Sequence, residues 1–244
     1  MKGRAWLFLG LAIVVAAACI RLGFWQLSRL QERRDRNQEI RAGLQDERIE
    51  LTEAVSSESV EPFRRIRARG RFDSAHQVVL TARSYQNQSG VHLVTPLRLV
   101  ESDTAVLVDR GWLPLEERSP EDLDAYSVEG VVEVEGVTLP SQSQPQIFLF
   151  PPPPTGTPQD PRTSWPALDV SAISGQIPYH LISVYVAVTE PVPEGASSPI
   201  PDPGLELSEG PHLGYAIQWF SFALIALVGG SYWVWRHTHP EAQS

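Results

Sequence analysis

The chain is poor in several residue types, and each shortage excludes something. Cys19 is the only cysteine, so no intrachain disulfide can form, and any domain outside a reducing compartment must be stable from its own core. Lys2 is the only lysine against 19 arginines, a bias that fits GC-rich codons better than a binding function. The formal charge is -9 over 244 residues, which excludes an extended basic surface and, with it, nucleic acid as a partner. No Walker-type phosphate loop, Rossmann glycine fingerprint, GxSxG or HExxH occurs.

Charge itself is missing from two places, residues 5–20 and 213–235. Between them, residues 26–212 carry 16 arginines and 28 acidic residues. This pattern rules out both an ordinary cytosolic single-domain enzyme and a polytopic transporter. What remains is a middle large enough for one real core, held at both ends by membrane helices.

The first apolar segment, AWLFLGLAIVVAAACIRLGFW, has an uncharged core shorter than the roughly 20 residues that cross a bilayer. Arg21 can snorkel to the headgroups, and Trp25 sits where an interfacial aromatic would. A retained helix is the expected state. A cleaved signal peptide, with Lys2 and Arg4 before it and Ala16-Ala17-Ala18 as cleavage site, and a lipoprotein at Cys19 are the rivals. The second segment, residues 213–235, is about 34 Å long at ~1.5 Å per residue, crosses with slight tilt, and is apolar on both faces, unlike a buried soluble helix. Lys2 and Arg4 before the first helix and Arg236 after the second place both termini in the cytoplasm, although Arg29, Arg33, Arg34 and Arg36 make the opposite flank positive too.

After the first helix, LSRLQERRDRNQEIRAGL reads as a helical extension, with a Glu32–Arg36 pair and Gly43 as its stop. Its arginines could meet anionic lipid headgroups or stay solvated. From residue 63 the period falls to two. In FRRIRARGRF, Arg65, Arg67, Arg69 and Arg71 share one face, while Ile66, Ala68, Gly70 and Phe72 share the other. The arginine face is either solvated or turned toward an anion, such as a headgroup or a haem propionate. HQVVLTARS, VHLVTPLRLV, TAVLVDRGW and residues 131–139 and 181–189 supply further strands. Residues 140–166 hold nine prolines and residues 191–211 six, so neither stretch is an internal strand or helix. The Pro151-Pro152-Pro153-Pro154 run also fits a polyproline recognition segment.

Candidate chemistry is sparse. His76, His92 and His180 form no metal-ligand spacing, and His237 and His239 lie in the terminal tail. Asp109-Arg110-Gly111-Trp112 is the densest polar-aromatic group. Its Asp and Arg should point to opposite strand faces, Gly111 should end the strand in a turn or close approach, and Trp112 should cover a core edge. That suits a packed or partner-contact corner better than an acid–base site. His212 stands where the second helix begins, with Tyr215 and Trp219 at i+3 and i+7 near one face. Its imidazole could be an axial ligand to haem iron, or an interfacial cap.

Five elements in order, GFWQLSRL, FRRIRARGRFD, GVHLVTPLRL, VLVDRGWLP and HLGYAIQWFSFAL, resemble the SURF1/Shy1 family of cytochrome oxidase assembly proteins over nearly the whole chain. The resemblance implies a two-helix membrane protein with a large β-rich α+β extracytoplasmic domain between the helices. It implies no enzyme but an assembly factor for aa3-type cytochrome c oxidase, with subunit I, haem a synthase and membrane lipids as partners and haem a as cofactor. His212 then matches the histidine implicated in haem binding, with Tyr215, Trp219, Trp25 and Gln26 beside it. Gly23 belongs to the first-helix motif, and Arg110, Gly111 and Trp112 match the RGW element. The proline-rich stretches depart from the family pattern. The short N-terminus suggests a bacterial plasma-membrane member. The expected division is a first span in 1–26, a juxtamembrane helix in 27–43, the β-rich domain in 44–211, a second span in 212–235 and a cytoplasmic tail in 236–244. A membrane-anchored enzyme using Arg110, Asp109 or His92 and a haem-free structural partner of the oxidase are the alternatives.

Overall fold

A computed structural model describes residues 2–52, 60–142, 156–190, 199–202, 205 and 207–238. The polyproline run and His239 lie outside the described residues. Contacts divide the chain into two compact units, Met1–Glu39 with Glu206–Ser244, and Ile40–Leu205.

Helix α1 spans Lys2–Gln45 and helix α2 spans His212–Thr238, and both are long and apolar enough to cross a membrane. Among the described residues of α1, Ala12, Ala16, Cys19, Gly23, Gln26 and Leu30 are buried at alternating steps of four and three, Asn37 follows seven residues on, and Ile40 three after that. In α2, Ala216, Ala223 and Gly230 are buried at steps of seven. This 3.5-residue period is that of a helix seam. The helices run antiparallel: Phe8 packs on Trp233 with ring centroids 4.7 Å apart, and Phe24 meets Phe220 edge-on at 5.4 Å. A Cβ on Gly230 would lie 2.7 Å from that of Ala12, so small residues set the helix spacing.

Two expectations for α1 are corrected. Glu32 pairs with Arg29, three residues before it, rather than with Arg36. The helix also runs two residues past Gly43 to Gln45, and Gly43 serves close packing instead of a stop: a Cβ there would stand 2.6 Å from the Phe63 carbonyl oxygen.

The central unit is built from strands β1 (Ile49–Leu51), β2 (Arg65–Phe72), β3 (Val78–Tyr85), β4 (Gln88–Leu99), β5 (Thr104–Pro114), β6 (Val132–Pro140), β7 (Ser164–Trp165) and β8 (His180–Val188). The neighbours run β1-β2-β6-β8-β5-β4-β3-β7, and β2 also pairs with β4. The last pairing closes β2, β6, β8, β5 and β4 into a five-stranded barrel. Alternation then decides what fills it. Ile66, Ala68, Leu97, Leu99, Val106, Val108, Val132, Val134, Ile182, Val184, Val186 and Val188 form one buried cluster inside. The opposite faces of β5 and β8 contribute Leu107, Leu181 and Tyr185 to a second cluster, covered by Trp165, Leu168, Val170 and Ile173. Val170 and Ile173 come from a short helix after β7, Val170–Ser174, whose N-cap Asp169 accepts from the Ala172 amide.

The six strand segments expected from the sequence are all present, as β2, β3, β4, β5, β6 and β8. The proline-rich stretch at 140–166 nevertheless contributes β7, a two-residue edge strand pairing with Val79 and Leu80. An edge position is where such a sequence can pair. The arginine face of β2 points outward as expected, and Arg67 is neutralised across the ladder. It hydrogen-bonds Glu135 at 2.7 Å and lies 3.3 Å from Glu133. That bond draws the Glu135 carboxyl below its ordinary range. An anion-facing ladder therefore lacks its Arg67.

Candidate functional site

Two groups of residues stood out in the sequence, one in each unit. In the helix pair, α1 brings Gln26 into the seam and α2 begins at His212. The Gln26 side-chain oxygen lies 2.8 Å from Nδ1 of His212. Gln26 is 9% exposed, so its amide is largely removed from water and the imidazole is its polar partner. Gly23 packs one turn along, where a Cβ would stand 2.7 Å from the Phe220 ring.

The other expected residues part from this pair. Trp25 and Tyr215 are 53% and 48% exposed, on the flanks of the helices rather than in the seam. Trp219 does share the His212 face, but its ring packs against Ala16, Cys19 and Ala223. Thus His212, Gln26, Gly23 and Trp219 belong to one seam, and Trp25 and Tyr215 flank it.

Sequence reasoning missed three residues here. Asn37, 3% exposed, donates from Nδ2 to the Leu207 carbonyl at 2.9 Å, and Arg34 pairs with Glu209 at 2.9 Å. Both contacts hold the run leading into His212 against α1. Gly210, with φ at +70°, turns that run beneath the imidazole. The signal for Asn37 was available: Gln26 and Asn37 fall on the same period as the buried small residues.

In the barrel unit, Asp109-Arg110-Gly111-Trp112 forms a β-bulge. Leu93 faces Gly111 and Val94 faces Asp109, which leaves Arg110 as the extra residue in β5. Gly111 does not end the strand, which continues to Pro114. It has φ of +118° instead, and a Cβ there would run into the Ile200 carbonyl. Trp112 and Ile200 exchange backbone hydrogen bonds of 2.7 and 2.9 Å, so the bulge clasps the segment around Ile200. Asp109 accepts from the Gly111 amide and meets Nδ1 of His92 at 2.9 Å. Nε2 of His92 is 3.8 Å from Asp202. As expected, Asp109 and Arg110 do not pair.

Arg110 is 2% exposed, lies over the Phe72 ring at 4.9 Å, and its Nε and Nη1 have no hydrogen-bond partner. Burial pushes its guanidinium down to about 10. Trp112 is buried as well, stacked beside Tyr85 at 5.6 Å. Among the described residues no group of three His, Cys, Asp or Glu side chains is arranged to hold a metal ion.

The two spans and the closed barrel between them in sequence define a class: a membrane protein with two transmembrane helices and a central α+β domain. The chain belongs to the SURF1 family, whose model matches residues 13–224. It is 26% identical over 251 residues to a SURF1-like protein of Caenorhabditis briggsae, covering 93% of this chain and 74% of that one. A SURF1-like protein of Rickettsia felis is 27% identical over 226 residues, covering 88% of this chain and 92% of its own length. Surfeit locus protein 1 of Xenopus tropicalis is 24% identical over 225 residues, covering 86% and 70%.

Proposed function

We propose that this chain is a non-enzymatic assembly factor for aa3-type cytochrome c oxidase, helping haem a enter subunit I or stabilising subunit I until it does. Haem a is its cargo, and subunit I and haem a synthase are its partners. The chain sits in a bacterial plasma membrane, with both termini cytoplasmic and the barrel outside. The observation carrying this reading is His212, a partly exposed imidazole at the start of a membrane helix, held through Nδ1 by Gln26. An imidazole held at one nitrogen keeps the other for a metal, so His212 would suit haem iron as a nitrogen donor. Haem iron would supply the Lewis-acidic centre, while the chain binds and orients it. Trp219 sits in the seam and supports the helix pair; Tyr215 and Trp25, at its flanks, are the aromatics available to a macrocycle.

The haem-free structural reading has its own support, because a polar pair in an apolar seam also fixes helix register. Optical spectra decide between them. Protein purified in detergent from cells making haem a should carry a haem a signal that His212→Ala weakens. An unchanged signal in that variant removes His212 as ligand, and haem-free protein that still co-purifies with subunit I favours the scaffold. Alkaline phosphatase inserted into the barrel unit should be active if that unit lies outside the cytoplasm.

A further inference from the structure

The imidazole of His212 has two possible neutral forms, and only the one with a bare Nε2 can bind iron through that nitrogen. Which form is present is set by what faces Nδ1. The amide oxygen of Gln26 faces it at 2.8 Å, and an amide oxygen only accepts. Nδ1 must therefore carry the proton. On its other side the ring lies beside Gly210, where an ideal Cβ would stand 3.4 Å from Cδ2 and 3.6 Å from Nε2. The left-handed φ of +70° suits glycine, and glycine adds no side chain next to the nitrogen.

We infer that Gln26 is a positioning residue for His212: it holds the Nδ1 proton, which leaves the lone pair on Nε2, and Gly210 keeps that edge of the ring clear. This gives Gln26 a different task from contact with the cargo. The consequence for haem rests on the function proposed above, whereas the proton placement does not. A Gln26 turned the other way round would donate to Nδ1, force the proton to Nε2 and abolish ligation there. The geometry therefore makes an all-or-none statement about one proton.

Nitrogen NMR of the haem-free, full-length chain in detergent, labelled at histidine, tests it. His212→Ala identifies the resonances. Nδ1 should read as protonated and Nε2 as bare in the parent, and in Gln26→Glu, whose carboxylate also accepts. In Gln26→Leu the proton should redistribute to Nε2. Titration with ferric haem should then show a ~10–100-fold weaker affinity in Gln26→Leu, the usual cost of losing the partner of a metal-binding imidazole, with Gln26→Glu restoring it. A bare Nδ1 in the parent overturns the inference, as does a tautomer that Gln26→Leu leaves unchanged. A locked tautomer together with equal haem affinity in the parent and His212→Ala overturns the haem reading instead, and leaves the Gln26 assignment standing.

Discussion

Inside the barrel the buried positions are Val, Ile, Leu and one Ala, whereas along the helix seam they are mostly Ala, Gly and Cys with two amides among them. The difference follows from what each region is compared with when it comes apart. Barrel strands separate into water, so each buried valine or leucine contributes ~1.5–3 kcal/mol and large side chains are favoured. Helices in a bilayer separate into hydrocarbon, which solvates leucine as well as a neighbouring helix does. Their association rests on close backbone approach and on a few hydrogen bonds, such as Gln26 with His212 at the mouth of the pair.

The comparison breaks first if volume loss is tolerated in the barrel. Leu97 is fully buried at the β2–β4 closure. Leu97→Ala should lower the stability of the central unit by ~2–5 kcal/mol through lost burial and a residual cavity. Denaturant melts followed by β-sheet circular dichroism measure this, and a loss below 1 kcal/mol would mean that the closure is not a packed core. The seam should respond to the opposite change. Gly230→Leu adds volume where a Cβ already meets Ala12, and overpacking of this kind costs ~1–3 kcal/mol. Cys19, buried with Ala16 and Ala223, reports on it directly. Maleimide labelling of that lone thiol in detergent should speed up in Gly230→Leu and stay at the parent rate in Leu97→Ala.

Legibility in the sequence differed in the same way. The six long strands could be read for two reasons: β2 alternates buried and exposed faces residue by residue, while β4, β5 and β8 are buried on both faces and read as short, near-continuous apolar runs. Barrel closure could not, since the Gly70–Phe72 pairing with β4 lies in a second set of hydrogen bonds that local pattern does not encode. The two-residue strand β7 is too short to leave a period. In the helices, hydrophobicity revealed the spans but hid the seam, which is marked by small residues rather than by apolar ones. His212 and Gln26 were both visible as candidates. Their contact was not, because 186 positions separate them in sequence. Tyr215 lies outside the seam for a related reason: a three-residue step puts two side chains near one face, but a seam of small residues is narrow enough to leave one of them on its flank.

Arg110 offers the smallest and most discriminating test, since it breaks the barrel's own rule. It is a cation at an almost fully buried position with an aromatic ring for company and two orphaned nitrogens. Burial lowers its guanidinium from the ordinary arginine range to about 10, a shift equivalent to ~3 kcal/mol of destabilisation at neutral pH. Arg110→Met keeps much of the volume and removes the buried charge, so stability should stay level or rise by ~0–2 kcal/mol. The pH dependence separates charge from packing. Above about pH 10 the unfolded chain holds the arginine proton more tightly than the folded one, so this residue makes stability rise with pH. Tyr126 and Tyr185, both pushed up to about 12 by burial, and Tyr179, raised further by burial and by its bond to Asp73, act in the other direction: their contribution is complete below pH 10 and is lost as pH climbs. Three phenols outweigh one guanidinium, so the parent should weaken above pH 10, and Arg110→Met, lacking the opposing contribution, should weaken more steeply. Parallel slopes for the two proteins in chemical melts between pH 9 and 11.5 would mean that Arg110 keeps its ordinary proton affinity through a charged partner; a steeper mutant slope would identify the RGW arginine as a buried cation that the central unit carries at a cost to its own stability.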